Sequence, residues 1–212
     1  MTYYGRWSYK YEEAARQGAA GVFIVHETEA AGYPWEVVVG SWSGPQFGLV
    51  TEDANLSRPS IEGWLTRTAA VELFAYAGLT FSEFEERAVY SGFQAAPLNV
   101  RANIAIQTRV ERSISNNVAG RIVGSQRPDE VVVYIAHWDH LGRDESLEGD
   151  QIFNGALDNA TGTAGLIEVA EAFTLLDPPP ARSVLFLAVT AEEQGLLGSA
   201  YYSDSPLYPL NK

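Results

Sequence analysis

The apolar positions of the chain fall into short strand-length runs separated by helical spacings. Val131 to Ala136 and Val184 to Val189 are near-continuous apolar runs, the pattern of strands in a sheet covered on both faces. Gly21-Val22-Phe23-Ile24-Val25 reads as another buried strand. The helix-forming stretch Tyr9 to Gln17 before it stops at Gly18, which gives an αβ unit. Residues 40–60 are rich in Gly, Ser, Pro and Asn and predict loop with short strands. Thr66 to Tyr76 and Phe81 to Val89 predict helices broken at Gly78. Past Ala95-Ala96-Pro97-Leu98, a plausible boundary, Val100 to Arg109 alternates, with Val100, Ala102, Ile104 and Ile106 on one face. Together with Val118 to Val123 it predicts a hairpin around Ser113 to Asn117. Gly162 to Leu176 places Leu166, Ala170, Phe173 and Leu176 at helical spacing, and Asp177-Pro178-Pro179-Pro180 stops it. Ser183 to Thr190 predicts a buried strand and Leu196 to Tyr202 opens a further helix. This order of strand, helix, strand, helix predicts an α/β sandwich with parallel neighbours.

Charge and composition narrow the function. The 212 residues carry 27 acidic and 14 basic side chains, a formal charge of -13, which disfavours a nucleic-acid-binding surface. No apolar run reaches the ~18 residues of a membrane span. The start, Met1-Thr2-Tyr3-Tyr4-Gly5-Arg6-Trp7, lacks the basic and apolar regions of a signal peptide. Cysteine is absent, so disulfides, thiolate metal sites and a cysteine nucleophile are excluded. Only His26, His137 and His140 supply imidazole, so a metal site must lean on carboxylates. The aromatic cluster Tyr3, Tyr4, Trp7 and Tyr9 is read as core and lid packing.

Three polar clusters gather near strand ends. His137-Trp138-Asp139-His140 follows the strand at 131–136, Ala156-Leu157-Asp158-Asn159 precedes the helix at 162, and Glu192-Glu193 follows the strand at 183–190. In open α/β sheets, ligand sites collect beyond the carboxyl ends of strands. Imidazole nitrogen and carboxylate oxygen suit zinc, and one carboxylate can bridge two cations. Asp139, two residues after His137 in an extended segment, points to the same side and could orient it. A turn at the strand end would let one glutamate bind metal while the other serves as base. Each cluster alone has a plainer reading: His137 as a hydrogen-bonded structural residue, Asp158-Asn159 as a turn or N-cap pair, Glu192-Glu193 as a solvated helix start. His26 has no partner in the sequence pattern and reads as structural. His140 stands one residue short of the i, i+4 helical pairing with His137. Competing motifs fail: Gly40-Ser41-Trp42-Ser43-Gly44 has Trp where a nucleophile elbow needs Ser, and His26-Glu27 has Ala30 where a zincin helix needs His.

Taken together, His137-x-Asp139, Gly155-Ala156-x-Asp158-Asn159-x-x-Gly162, Arg182-Ser183-Val184-x-Phe186 and Glu192-Glu193-x-Gly195-Leu196-x-Gly198-Ser199 resemble the co-catalytic zinc exopeptidases related to bacterial leucyl aminopeptidase and glutamate carboxypeptidase. The resemblance spans about residues 98–212. Residues 1–97 more weakly resemble the protease-associated insert domain of many members. The implied fold class is α/β, an incomplete mixed sheet flanked by helices plus a partial protease-associated α/β domain. The implied domains are 1–97 and 98–212, the second being the N-terminal part of the catalytic domain.

The resemblance implies that His137 binds a first zinc, Asp158 bridges two zincs, and Glu193 binds the second. Glu192 would be the general base and acid, Asp139 would orient His137, and the Asp158–Asn159 peptide bond would be cis. The implied reaction is hydrolysis of the N-terminal peptide bond of a peptide or protein substrate. Family habit implies a periplasmic or secreted location. The family places one more carboxylate and one more histidine downstream of the Glu pair. Here 19 residues follow Glu193, with Asp204 among them and no histidine. The expectation is therefore a chain truncated at both ends, whose exposed sheet edge would admit a second copy. The alternative is a non-catalytic interaction module on a degenerate peptidase-like scaffold, as in the transferrin-receptor type.

Overall fold

The computed structural model describes residues 2–211, which divide into two compact units: residues up to 45 with 50–109, and 46–49 with 110 onward.

In the first unit, strands β1 (Gly21–His26) and β2 (Ile61–Thr66) pair in parallel, with Gly21 opposite Ile61 and His26 opposite Thr66. Helix α1 (Trp7–Arg16) leads into β1 through Gly18, whose φ of +74° is a conformation glycine adopts without a Cβ penalty. Short α2 (Thr28–Ala31) and α3 (Trp35–Trp42) cross from β1 to β2, and α4 (Arg67–Tyr76) and α5 (Phe81–Ala88) follow. Thr66 ends β2 and caps α4, its hydroxyl accepting from Ala69 N at 3.1 Å. Tyr11, Ile24, Val38 and Ala70 are buried. The Tyr11 hydroxyl donates to the Gly63 carbonyl at 2.9 Å and so fastens α1 to β2, and burial raises its phenol pKa. The expected short strands within 40–60 are not formed; the strand of this region begins at Ile61, after the Gly/Ser/Pro-rich stretch. Tyr3, Tyr4 and Trp7 are 53%, 69% and 46% exposed, so the reading of the aromatic cluster as core is corrected. These rings instead make edge-on contacts at the surface, Tyr4 to Tyr9 at 4.9 Å.

The second unit holds a three-stranded sheet in the order β3 (Val118–Ile122), β7 (Arg182–Val189), β4 (Arg127–His137). β3 runs antiparallel to β7, and β4 runs parallel to it through the crossover helix α6 (Thr161–Thr174). A small hairpin, β5 (Gly142–Arg143) with β6 (Ile152–Phe153), branches off after β4, and α7 (Leu197–Asp204) follows β7. The side chains of β7 alternate between two covered faces. Leu185, Leu187 and Val189 pack with Tyr202 of α7, while Phe186 meets Phe173 of α6 at 6.0 Å and Tyr134 of β4 at 5.8 Å. Ser183 is fully buried, yet its hydroxyl accepts from Gly124 N at 3.0 Å and donates to the Pro128 carbonyl at 2.7 Å. A polar group so placed is satisfied on both sides and helps fix the start of β4 against β7.

Two expectations fail here. Residues 94–117 have no regular structure, so neither the strand at 100–109 nor the hairpin forms. β3 instead pairs with β7, as part of a three-stranded sheet, since an isolated two-stranded ribbon is marginal in water. The apolar run of β4 is also not covered on both faces. Val132, Val133, Tyr134 and Ile135 are 39–54% exposed, and only Ala136 and His137 at its carboxyl end are buried. β4 is an end strand of the sheet among the described residues, whereas the similar run of β7 lies in the middle.

Truncation should expose this asymmetry. Leu187→Ala is expected to cost about 2–5 kcal/mol. Ile135→Ala, although the same kind of residue in the adjacent strand, should cost about 1 kcal/mol or less. Amide hydrogen exchange along β7 in denaturant reads both.

Candidate metal centre

His137 is the last residue of β4, opposite Val189 at the end of β7, and it is 8% exposed. The ladder continues one step further, since Trp138 N donates to the Val189 carbonyl at 3.0 Å. Parallel pairing therefore delivers the His137 segment and the residues after Val189 to the same end of the sheet. α6 is pinned to this end as well, its Thr163 hydroxyl donating to the His137 carbonyl at 2.9 Å.

The segment before α6 brings in Asp158. Its Oδ1 lies 3.0 Å from His137 Nε2, and the Asp158–Asn159 peptide bond is cis. The Asp158 side chain is 70% exposed. Asn159 caps α6, its Oδ1 accepting from Gly162 N at 2.9 Å. A Cβ at residue 162 would run into that amide, which explains why glycine stands there. Gly155, at φ +61°, opens the segment, and a Cβ at this position would come within 2.8 Å of the His140 ring carbon. Both motif glycines thus make room for neighbouring polar side chains.

Beyond Val189 the chain turns rather than extending. Ala191 has φ +52°, and Gly195 N and Leu196 N both donate to the Glu192 carbonyl. The turn lets adjacent glutamates point to two histidines. Glu192 Oε2 is 3.8 Å from His137 Nε2, and Glu193 Oε1 is 2.6 Å from His140 Nδ1. One ligand atom each from His137, Glu192 and Glu193 fall within 4.8 Å of one another.

Asp139 acts differently from the simplest reading of its spacing. His137 Nδ1 meets the main-chain carbonyl of Asp139 at 3.0 Å, while the Asp139 carboxylate stands 3.9 Å away. That carboxylate accepts from Glu192 N at 3.1 Å and Glu193 N at 3.3 Å. The one residue therefore holds the imidazole with its backbone and the Glu turn with its side chain. Charge-assisted bonds of this kind are stronger than neutral ones.

Electrostatics follow from this crowding. Burial works against the charged imidazole of His137, but the Asp139 carbonyl, the Glu192 charge and the Asp158 bond outweigh it and raise the pKa above its ordinary value. The same lone pair that takes a proton here would take a metal. Two donors on one tetrahedral zinc, each at about 2.0–2.1 Å, lie about 3.3 Å apart. The His137–Asp158 separation of 3.0 Å is close to that edge length, and the all-nitrogen-and-oxygen donor set suits the ion.

The structure thus brings together His137, Asp139, Asp158, Glu192 and Glu193 from three places in the sequence. It also adds His140, which helical spacing had set aside. No periodic rule finds this residue, because the chain leaves the strand at Trp138 and its partner lies 53 residues away.

Comparison with known proteins bears on this region. Residues 117–212 match Peptidase family M28. The chain is similar to Aminopeptidase NAALADL1 of Mus musculus, 32% identical over 120 residues, 55% of this chain and 15% of that protein. It is 37% identical over 91 residues to a protein of Pyricularia oryzae named as a probable zinc metalloprotease, 42% of this chain and 17% of that one. It is 32% identical over 98 residues to Aminopeptidase YwaD of Bacillus subtilis, 44% of this chain and 19% of that one. The chain therefore spans less than a fifth of the length of each of these three relatives.

Asp139→Ala removes the carboxylate and keeps the carbonyl. Exchange of the Glu192 and Glu193 amides should then speed up about tenfold or more, while the His137 Nδ1 chemical shift stays in place. Nuclear magnetic resonance reads both. Gly155→Ala should instead break the His140–Glu193 contact and leave exchange along β7 unchanged.

Proposed function

We propose that the second unit, whose residues 117–212 match Peptidase family M28, is the N-terminal part of the catalytic domain of a zinc-dependent exopeptidase of the aminopeptidase type. The observation that carries this reading is the convergence of His137, Asp158, Glu192 and Glu193 at one sheet end, within the matching residues. The two aminopeptidases and the probable zinc metalloprotease among the relatives support it.

In this proposal His137 and Asp158 would hold one zinc, and Asp158 and Glu193 would hold a second. Bound zinc polarises a substrate carbonyl and lowers the pKa of water, the chemistry that hydrolysis of an unactivated amide needs near neutral pH. The residues of the chain do the rest. Glu192 takes the proton from the attacking water and returns it to the leaving amine. The Asp139 carboxylate fixes the Glu192–Glu193 turn, so the base and the ligand beside it move as one. The Asp139 carbonyl fixes the His137 ring and leaves Nε2 as the donor. His140 orients Glu193 through its Oε1. A catalytic zinc usually has three protein ligands, and the resemblance assigns the remaining carboxylate and histidine to residues downstream of Glu193. In the same reading, the first unit is part of a protease-associated domain.

A zinc titration by calorimetry tests the ligands directly. Binding should be lost in His137→Ala and weakened in Asp158→Ala. Affinity should also fall on acidification, beginning above the ordinary imidazole pKa, because proton and metal compete for Nε2 and the His137 pKa is raised. Zinc binding that ignores His137→Ala would overturn the assignment. In the full-length protein, Glu192→Gln should keep zinc and lower turnover about a hundredfold to ten-thousandfold.

A further inference from the structure

Glu192 and Glu193 stand in a loop that is closed on itself at its neck. Gly198 N donates to the Thr190 carbonyl at 2.9 Å, and Leu197 N to that of Ala191 at 3.0 Å. Between these ends the backbone is strained, since Ala191 and Leu196 have φ of +52° and +63°. Residues with a side chain adopt that conformation at a cost in free energy, and keep it only where the surroundings over-determine it. The Asp139 carboxylate supplies one such hold, on the amides of Glu192 and Glu193. A second hold lies at the neck.

That hold is Asn117. The antiparallel ladder of β3 with β7 ends at Val118 opposite Ala188. Thr190, two residues further on, takes its acceptor from a side chain instead: its N donates to Asn117 Oδ1 at 3.1 Å. Asn117 Nδ2 donates to the Gly198 carbonyl at 2.8 Å. One side-chain amide thus spends its acceptor on the start of the loop and its donor on the end. Gly198 is buried, and a Cβ there would come within 2.3 Å of the Thr190 carbonyl oxygen and 2.6 Å of Asn117 Oδ1. Glycine at this position lets the three groups meet.

The neighbours of Asn117 fasten the same end of the sheet. The hydroxyl oxygens of Ser115 and Thr190 are 2.6 Å apart. Trp138, which follows His137, donates from Nε1 to the Asn116 carbonyl at 3.2 Å. Residues 115–117 have no regular structure, yet they are tied both to the loop after β7 and to the chain leaving β4. Loss of the Asn117 amide would leave the Thr190 N–H without its acceptor at a partly buried position. An unpaired donor there costs more than the net worth of the bond, so the neck would open to water.

We propose that Asn117 is a positioning residue for Glu192 and Glu193, its side-chain amide keeping the neck of their loop closed. Loosening the neck lets the strained turn relax, and the Glu193 carboxylate then leaves His140. That the two glutamates act as base and ligand rests on the peptidase reading above; that Asn117 holds them does not.

The test compares Asn117→Ala with Ser183→Ala in the whole chain without added metal. Ser183 also bonds the main chain twice, to Gly124 N and to the Pro128 carbonyl, but at the opposite end of β7. It therefore controls for a general loss of stability. Asn117→Ala should speed amide exchange at Glu192, Glu193, Gly195 and Leu196 about tenfold or more, and move the His140 Nδ1 resonance toward that of a free imidazole. Ser183→Ala should change those rates by less than about twofold and leave the His140 resonance in place. If Asn117→Ala fails to fold, Asn117→Asp decides: it keeps an acceptor for Thr190 N, sets a second acceptor against the Gly198 carbonyl, and should loosen the same amides. Unchanged exchange with an unmoved His140 resonance, or equal acceleration in Ser183→Ala, would overturn the proposal. In the full-length protein, Asn117→Ala should lower kcat on an aminoacyl p-nitroanilide about tenfold to a hundredfold and keep KM within about twofold. A loss confined to KM sinks the positioning role. If the unaltered full-length protein hydrolyses no such substrate, the peptidase reading falls, and exchange and the His140 resonance still decide this one.

Discussion

The parallel pairing of β4 with β7 is the constraint on which the second unit depends. It places His137 beside Val189, so that both chains leave the sheet at the same end. Burial of β7 on both faces holds that register. Leu185, Leu187 and Val189 are locked under Tyr202, and Phe186 is locked against Phe173 and Tyr134. A slip of one residue would exchange the two faces of β7 and carry the Glu turn away from the imidazole. The geometry of the polar site is thus a consequence of packing in an apolar strand that takes no part in the chemistry.

On that base, one aspartate couples two loops. Asp139 serves His137 with its carbonyl and the Glu192–Glu193 amides with its carboxylate. The division of labour has an electrostatic advantage. Its carboxylate is turned to two N–H dipoles, and at 3.9 Å from the imidazole it favours the charged ring less than Glu192 and the Asp158 bond do. The His140–Glu193 bond repeats the arrangement on the other side of the turn. Without a cation, these carboxylates share a small space with two imidazoles and repel one another. Such a cluster suits a divalent ion better than it suits an empty pocket.

The two units show the same architectural habit in different chemistry. Each has a parallel strand pair, and each places a histidine on the last residue of the first strand of that pair, His26 in β1 and His137 in β4. His137 is surrounded by carboxylates and main-chain acceptors. His26 is surrounded by rings and has one nitrogen unsatisfied. The difference lies in the loops beyond the strands, which is where open α/β sheets vary their function.

Local pattern was enough for elements whose signal lies within a few residues. The α1–β1 unit, the helices at 67–76, 81–88 and 161–174, and the strand at 182–189 follow from periodicity and from Gly and Pro stops. The motif spacing likewise marked His137, Asp139, Asp158, Glu192 and Glu193 as a group. Partner choice was beyond it. The alternation at 100–109 looks like a strand but forms none, and the apolar run of β4 looks like that of β7 although one ends the sheet and the other lies inside it. The role of the Asp139 carboxylate, the pairing of His140 with Glu193 and the orphaned nitrogen of His26 depend on which atoms meet across 50 residues or more, or on which fail to meet. Sequence fixes residue type and local periodicity, because those are set by neighbours along the chain. The tertiary structure alone decided exposure, strand order and hydrogen-bond partners, because those are set by neighbours in space.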